Sequence, residues 1–295
     1  MASKIAVVTG ANKGLGFGIV RELCKRNVGV VYLTSRDIQR GKDAVKSLEK
    51  EGYKPKLHQL DVTDEDSVKT FADFVKANHD GLDILINNAG LLDANYYKVS
   101  YEDAKEVINV DVHGKILMQK YFFPLLRDNG RVINISSDWG HIKNIQNKDW
   151  VERLTKKDIT LEDVCAFVEW FLNSIKNNTL KKEDFLENTV MAYRVSKVAV
   201  SALTRVQQKE VNRGISINSV NPGIVKTSMT HGSGDFTVSE ASVTPVFIAL
   251  DIDQSVKGKF IWYDKTEIDW ADHSLNVIVP FEKVFEQALP EVVKS

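Results

Sequence analysis

The run Val7-Val8-Thr9-Gly10-Ala11-Asn12-Lys13-Gly14-Leu15-Gly16 constrains this chain most, because it carries an apolar strand through a glycine-spaced turn into a helix. Ile5–Val8 is a short, β-branched run of the kind a strand buried on both faces produces, and from Gly18 to Lys25 the spacing turns helical. At such a turn Gly10 permits the tight bend, Gly14 lets the backbone approach a pyrophosphate, and Gly16 lets the helix pack closely on the strand. The free N–H groups of the first helical turn face the anion. Together these features predict the phosphate site of a dinucleotide.

The same rhythm continues downstream. The patterns predict strands over residues 28–34, 56–60, 82–86, 131–135, 215–220 and 259–262, alternating with helices over 39–50, 67–77, 101–126, 190–212 and 239–250. Thr63/Asp66, Ser100/Asp103 and Thr160/Asp163 stand at capping-box spacing. Strands alternating with helices imply an α/β, Rossmann-type doubly wound parallel sheet of about seven strands. The rhythm breaks over residues 139–188, a Lys- and Glu-rich helical insertion ahead of Tyr193 whose clearest helix is 161–175. No Pro- or Gly-rich linker flanks it, so residues 1–295 are expected to form a single domain, with a tail over 271–295. In that tail Phe281, Phe285 and Leu289 recur at helical spacing and need an apolar surface to cover.

Composition narrows the function. With 39 basic and 40 acidic residues the formal net charge is −1, which points to neither nucleic acid nor an anionic membrane as partner. The first strand begins within a few residues of Met1 and no apolar run would span a bilayer, so a cytoplasmic protein is expected. Cys24 and Cys165, one in each half, argue against a disulfide framework, and the six histidines show no metal-ligand spacing.

Tyr193 and Lys197, four apart in a helical pattern, leave the same helix face one turn apart. A free phenol titrates near about 10, and a neighbouring cation favours its ionised form. Tyr101 and Lys105 repeat the spacing, but among Glu102, Asp103 and Glu106 they read as a solvated helix face. The first pair instead follows a strand ending Asn134-Ile135-Ser136-Ser137, and strand C-termini are where open parallel sheets hold ligands. Ser137 can there donate to a substrate carbonyl. Trp139 is a candidate pocket wall. Arg36 and Lys13 offer cations at the end of the second strand, where a carboxylate would bind a ribose diol, so NADP(H) is favoured over NAD(H).

Taken together, Thr9 to Gly16, Asn87-Asn88-Ala89-Gly90, Asn109, Ser137, Tyr193/Lys197 and Pro222-Gly223 resemble the short-chain dehydrogenase/reductase family, over roughly residues 4–270. Thr9 to Gly14, Leu33 to Asp37, His58 to Asp61 and the insertion are most similar to its monomeric carbonyl reductases, a layout shared by plant terpenoid and alkaloid ketone reductases. The resemblance implies that Tyr193 donates the proton, Lys197 lowers its pKa and holds the nicotinamide ribose, Ser137 orients the carbonyl, and Asn109 supports a water relay to Lys197. It further implies cofactor contacts from Gly10, Asn12, Lys13, Gly14, Leu15, Gly16, Arg36, Asp61, Val62, Asn88, Ala89, Gly90, Pro222, Gly223, Val225 and Thr227. The expected activity is NADPH-dependent reduction of small aldehydes or ketones by a monomer. Two alternatives are a dehydrogenase or reductase of one steroid or terpenoid alcohol or ketone, and a non-catalytic NADP(H)-binding regulator.

Overall fold

A computed structural model describes residues 3–285. Strand β1 (Ile5–Val8) sits inside an eight-stranded sheet and distributes its side chains by the two-residue period: Ala6 and Val8 enter one apolar cluster, Ile5 and Val7 the opposite one. Burial on both faces is why this strand is uniformly apolar. The chain continues through α1 (Gly14–Lys25), β2 (Val30–Ser35), α2 (Ile38–Lys50), β3 (Lys56–Gln59), α3 (Glu65–His79) and β4 (Leu82–Asn87). The sheet order is β3-β2-β1-β4 on this side, so after β3 the chain crosses to the far side of β1. That reversal opens a crevice above the C-terminal ends of β1 and β4, the usual ligand position in such sheets.

The expected helix over 101–126 is broken. It consists of α4 (Tyr101–Ile108), a π-helical turn (Asn109–His113) and α5 (Gly114–Phe122), and β5 (Leu126–Ile135) begins five residues before the expected strand start at Arg131. The insertion contributes α6 (Lys148–Thr155) and α7 (Leu161–Lys176), whose apolar faces join one cluster with α4 and α8 (Met191–Glu210). After β6 (Ser216–Val220) and α9 (Val238–Leu250), β7 (Phe260–Ile261) completes seven parallel strands. A short β8 (Glu267–Ile268), which the sequence patterns do not predict, adds an antiparallel edge. The tail places α10 (Phe281–Val284) over Trp139 and Val190, and Leu289 lies outside the described residues.

One predicted cap moves by a residue. Asp64, not Thr63, caps α3 by accepting from the amides of Asp66 and Ser67, while Thr63 spends its hydroxyl on Asp61. Ser100 caps α4, and Thr160 with Asp163 forms a full capping box on α7.

Candidate active site

The crevice is a cavity of about 710 Å³ whose two ends have different chemistry. One end is the glycine turn. Gly10 adopts φ +61 and a Cβ there would lie 2.9 Å from the Cα of Ala89, so only glycine lets the turn from β1 approach the loop after β4. At Gly16 a Cβ would meet the Gly10 carbonyl at 2.8 Å, which keeps α1 tight against the strand. Asn88 locks the contact by donating its side-chain amide to the carbonyls of Thr9 and Gly10.

The start of α1 is chemically open. Lys13 gives it no side-chain cap and its first turn holds no acid, whereas α2, α3, α4, α7 and α9 are each capped by a side chain. Unpaired N–H groups beside Lys13 fit a phosphate group. Asn12, Lys13, Gly14, Leu15 and Arg36 line the same end, with Ser35, Asp37 and Arg40. Asp37 is spent as the cap of α2 and pairs with Arg40 at 3.6 Å, so among the described residues no carboxylate neutralises Arg36. Asp61, Val62, Ala89, Gly90, Pro222, Gly223, Val225 and Thr227 continue the lining inward.

The inner end carries Ser137, Trp139, Tyr193 and Lys197. Ser137 stands two residues past the end of β5 and donates to Asp138 Oδ1 at 2.9 Å. Tyr193 and Lys197 project from one face of α8, with the Lys197 ammonium 5.0 Å from the Tyr193 ring centre. Burial pushes the Tyr193 phenol above its usual range. Lys197 pulls it down, without reversing that rise. Burial disfavours the charge on Lys197, but Asp111 and Tyr193 together outweigh it and hold the ammonium above the usual lysine range.

Asp111 stands where Asn109 was expected. Its carboxylate, fully buried, accepts from Lys197 Nζ at 3.0 Å, Ser196 Oγ at 2.8 Å and the Leu91 amide at 2.9 Å. Asn109 does not line the cavity. Two residues apart on a helix point about 200° apart, so only one of the pair can face Lys197. A second charge was also missed. Lys115 is buried with its ammonium on the carbonyls of Asp111 at 2.8 Å and Ala89 at 3.2 Å, and burial together with nearby Lys197 pushes it down to about 7. Both sit on the apolar stripe Ala104, Ile108, Asp111, Lys115, Met118 and Phe122, and charges on such a stripe are the sequence signal that could have found them.

Trp139 is both wall and packing. It lines the cavity, edges the Tyr193 ring, stacks with Phe281 and donates its indole N–H to Val279 O at 2.7 Å. Asp138 accepts from the Val279 amide at 2.8 Å, so the two residues after Ser137 tie the tail down beside it. Tyr101 and Lys105 stay away from the cavity: Lys105 is exposed and the Tyr101 ring lies under Lys176 of α7. Among the described residues no cluster of three His, Cys, Asp or Glu side chains could hold a metal ion, and no helix is long and apolar enough to cross a membrane.

A doubly wound sheet, a glycine turn at its crevice and a Ser/Tyr/Lys group facing that crevice define a dinucleotide-dependent oxidoreductase architecture. The chain belongs to the short-chain dehydrogenase family, whose profile matches residues 4–149 and 185–237. The unmatched stretch between them falls within the helical insertion. Carbonyl reductase (NADPH) 3 of Rattus norvegicus is 35% identical over 265 residues, covering 84% of this chain and 91% of the relative. (+)-Neomenthol dehydrogenase of Arabidopsis thaliana is 36% identical over 274 residues, covering 84% and 91%. The solved structure of salutaridine reductase from Papaver somniferum superposes with a TM-score of 0.81 at 31% identity, covering 88% of this chain and 99% of that one.

Proposed function

We propose that the protein reduces an aldehyde or ketone to an alcohol with NADPH. The observation that carries this reading is one cavity joining an uncapped, cation-flanked helix start to the half-buried Ser137 and Tyr193 and the buried Lys197. The reduced nicotinamide dinucleotide supplies hydride to the carbonyl carbon. Lys13, Arg36 and the α1 amides would hold its phosphates, with Arg36 the group for a 2′-phosphate; Asp61 and Val62 would meet the adenine, and Val225 and Thr227 the carboxamide. Tyr193 holds a proton above neutral pH and delivers it to the developing alkoxide, while Ser137 turns its hydroxyl from Asp138 to the same oxygen. Lys197, kept charged by Asp111, stabilises the phenolate left behind. The NADPH named in the rat relative supports the cofactor choice.

A narrower substrate is favoured by the wall. Around Tyr193 the cavity is bounded by Leu91, Leu92, Tyr96, Trp139, Ile224 and Phe285, and apart from Lys197, whose charge Asp111 meets, its cationic lining residues Lys13, Arg36 and Arg40 lie at the phosphate end. An uncharged, apolar ketone fits this end, in keeping with the terpenoid and alkaloid enzymes among the relatives. Because α7 packs along α4 and α8, covering surfaces otherwise open to a partner subunit, we read the protein as a monomer forming one domain. NADPH consumption by purified protein over quinones, aromatic aldehydes, α-dicarbonyls and apolar cyclic ketones, with NADH in parallel, tests the reading. Turnover with NADPH that Tyr193→Phe abolishes supports it; full activity in that variant refutes it.

A further inference from the structure

We propose that Asp93 is a positioning residue for Tyr193: it caps the start of the tyrosine's helix from another loop and so fixes that backbone against the cavity. The proposal rests on Tyr193 being the proton donor. Helix α8 has no cap of its own, because Val190 precedes it with φ 44 and carries no side-chain acceptor. The amides that a helix-capping side chain ordinarily satisfies are those of the second and third residues, here Ala192 and Tyr193. Asp93, about 3% exposed, accepts from Ala192 N at 3.1 Å through Oδ1 and from Tyr193 N at 2.8 Å through Oδ2, across 99 and 100 residues of sequence.

The loop bearing it is secured on both sides. Leu91 donates its amide to Asp111, and Tyr96 accepts the Val190 amide at 2.7 Å. Because Leu91, Leu92, Asp93 and Tyr96 also line the cavity, the wall that meets substrate and the amide of Tyr193 are one connected unit. The titratable groups facing Asp93 are Tyr96 of its own loop and Asp103 at the start of α4; from α8 it meets backbone amides only. Burial raises this carboxyl to about 6 against the pull of those amides. On protonation one oxygen becomes a donor and one amide loses its acceptor.

Asp93→Asn is nearly isosteric, keeps one acceptor oxygen and replaces the other by an NH2 group that opposes an amide. Two readouts at pH 7.5 decide the matter in the full chain. Hydrogen exchange over residues 191–195 is expected to quicken at least tenfold, with exchange over β4 unchanged as the check on folding. The kcat for the carbonyl reduced is expected to fall at least tenfold, with KM for NADPH within about threefold. In addition, wild-type kcat declines on the acid side of about pH 6, and the Asn variant lacks that decline. Unchanged exchange, unchanged kcat or an acid limb retained in the variant overturns the proposal alone. Absence of any carbonyl turnover by the wild type overturns the reading of the site beneath it.

Discussion

Tyr193 is an acid whose surroundings keep it protonated, since burial raises the phenol further than Lys197 lowers it. On the alkaline side, carbonyl reduction should therefore hold past neutral pH and fall as pH climbs into the phenol's raised range, which initial rates across the alkaline range will show. Tyr193→Phe should lower kcat by about 100- to 10,000-fold, the usual worth of a positioned proton donor, with NADPH binding followed by fluorescence unchanged. Arg36 has no carboxylate partner among the described residues. A charge-assisted bond of about 1.5–3 kcal/mol to a 2′-phosphate makes Arg36→Ala weaken NADPH by roughly 10- to 100-fold and NADH little; equal losses in a titration would remove Arg36 from cofactor selection. That Tyr193, Lys197 and Ser137 face one crevice was legible because a four-residue helix spacing and the strand end before Ser137 are local patterns. Asp111 was not, because the family resemblance points to an asparagine at Asn109, whereas the position that faces Lys197 is set by helix register.

Helix α7 shows what the insertion's own charges do. Asp163 closes the capping box with Thr160 and accepts from Arg153 and Lys156, each at 2.7 Å. Burial opposes its ionisation, yet these partners outweigh burial and hold the carboxyl well below its usual range. A depressed acid stabilises the fold above the ordinary carboxylate pKa and loses that contribution as pH falls. Asp163→Ala should lower unfolding free energy by about 1–3 kcal/mol at neutral pH, with the gap from wild type narrowing toward about pH 3. Thermal melts across that range check it, and a gap independent of pH would be wrong for this mechanism. The capping spacing at Thr160 and Asp163 was readable in advance. At Thr63-Asp64 two adjacent residues can both cap, and the choice fell to Asp64 once Thr63 was engaged by Asp61. The break between α4 and α5 left no glycine or proline signal before Gly114, so periodicity alone carried the predicted helix through it.

At the scale of the molecule, the tail roofs the inner cavity. Phe281 is fully buried against Trp139, Tyr96 and Phe285. Phe281→Ala removes an aromatic ring worth about 3–5 kcal/mol where a core cannot collapse, but α10 is short and peripheral, so release of the tail should precede global unfolding. The expected result is faster proteolytic cleavage within residues 271–285 and a raised KM for an apolar ketone, with the main melting transition little moved. Light scattering on a sizing column should return the mass of a monomer, 33.2 kDa. By itself the sequence determined the order of strands and helices, the glycine turn and the shared face of Tyr193 and Lys197, because periodicity and backbone freedom act over a few residues. Only the tertiary structure decided that Asp111 rather than Asn109 meets Lys197, that Asp93 caps a helix a hundred residues away, and that the tail closes over Trp139. Those depend on which segments the sheet brings side by side, and no local pattern records that.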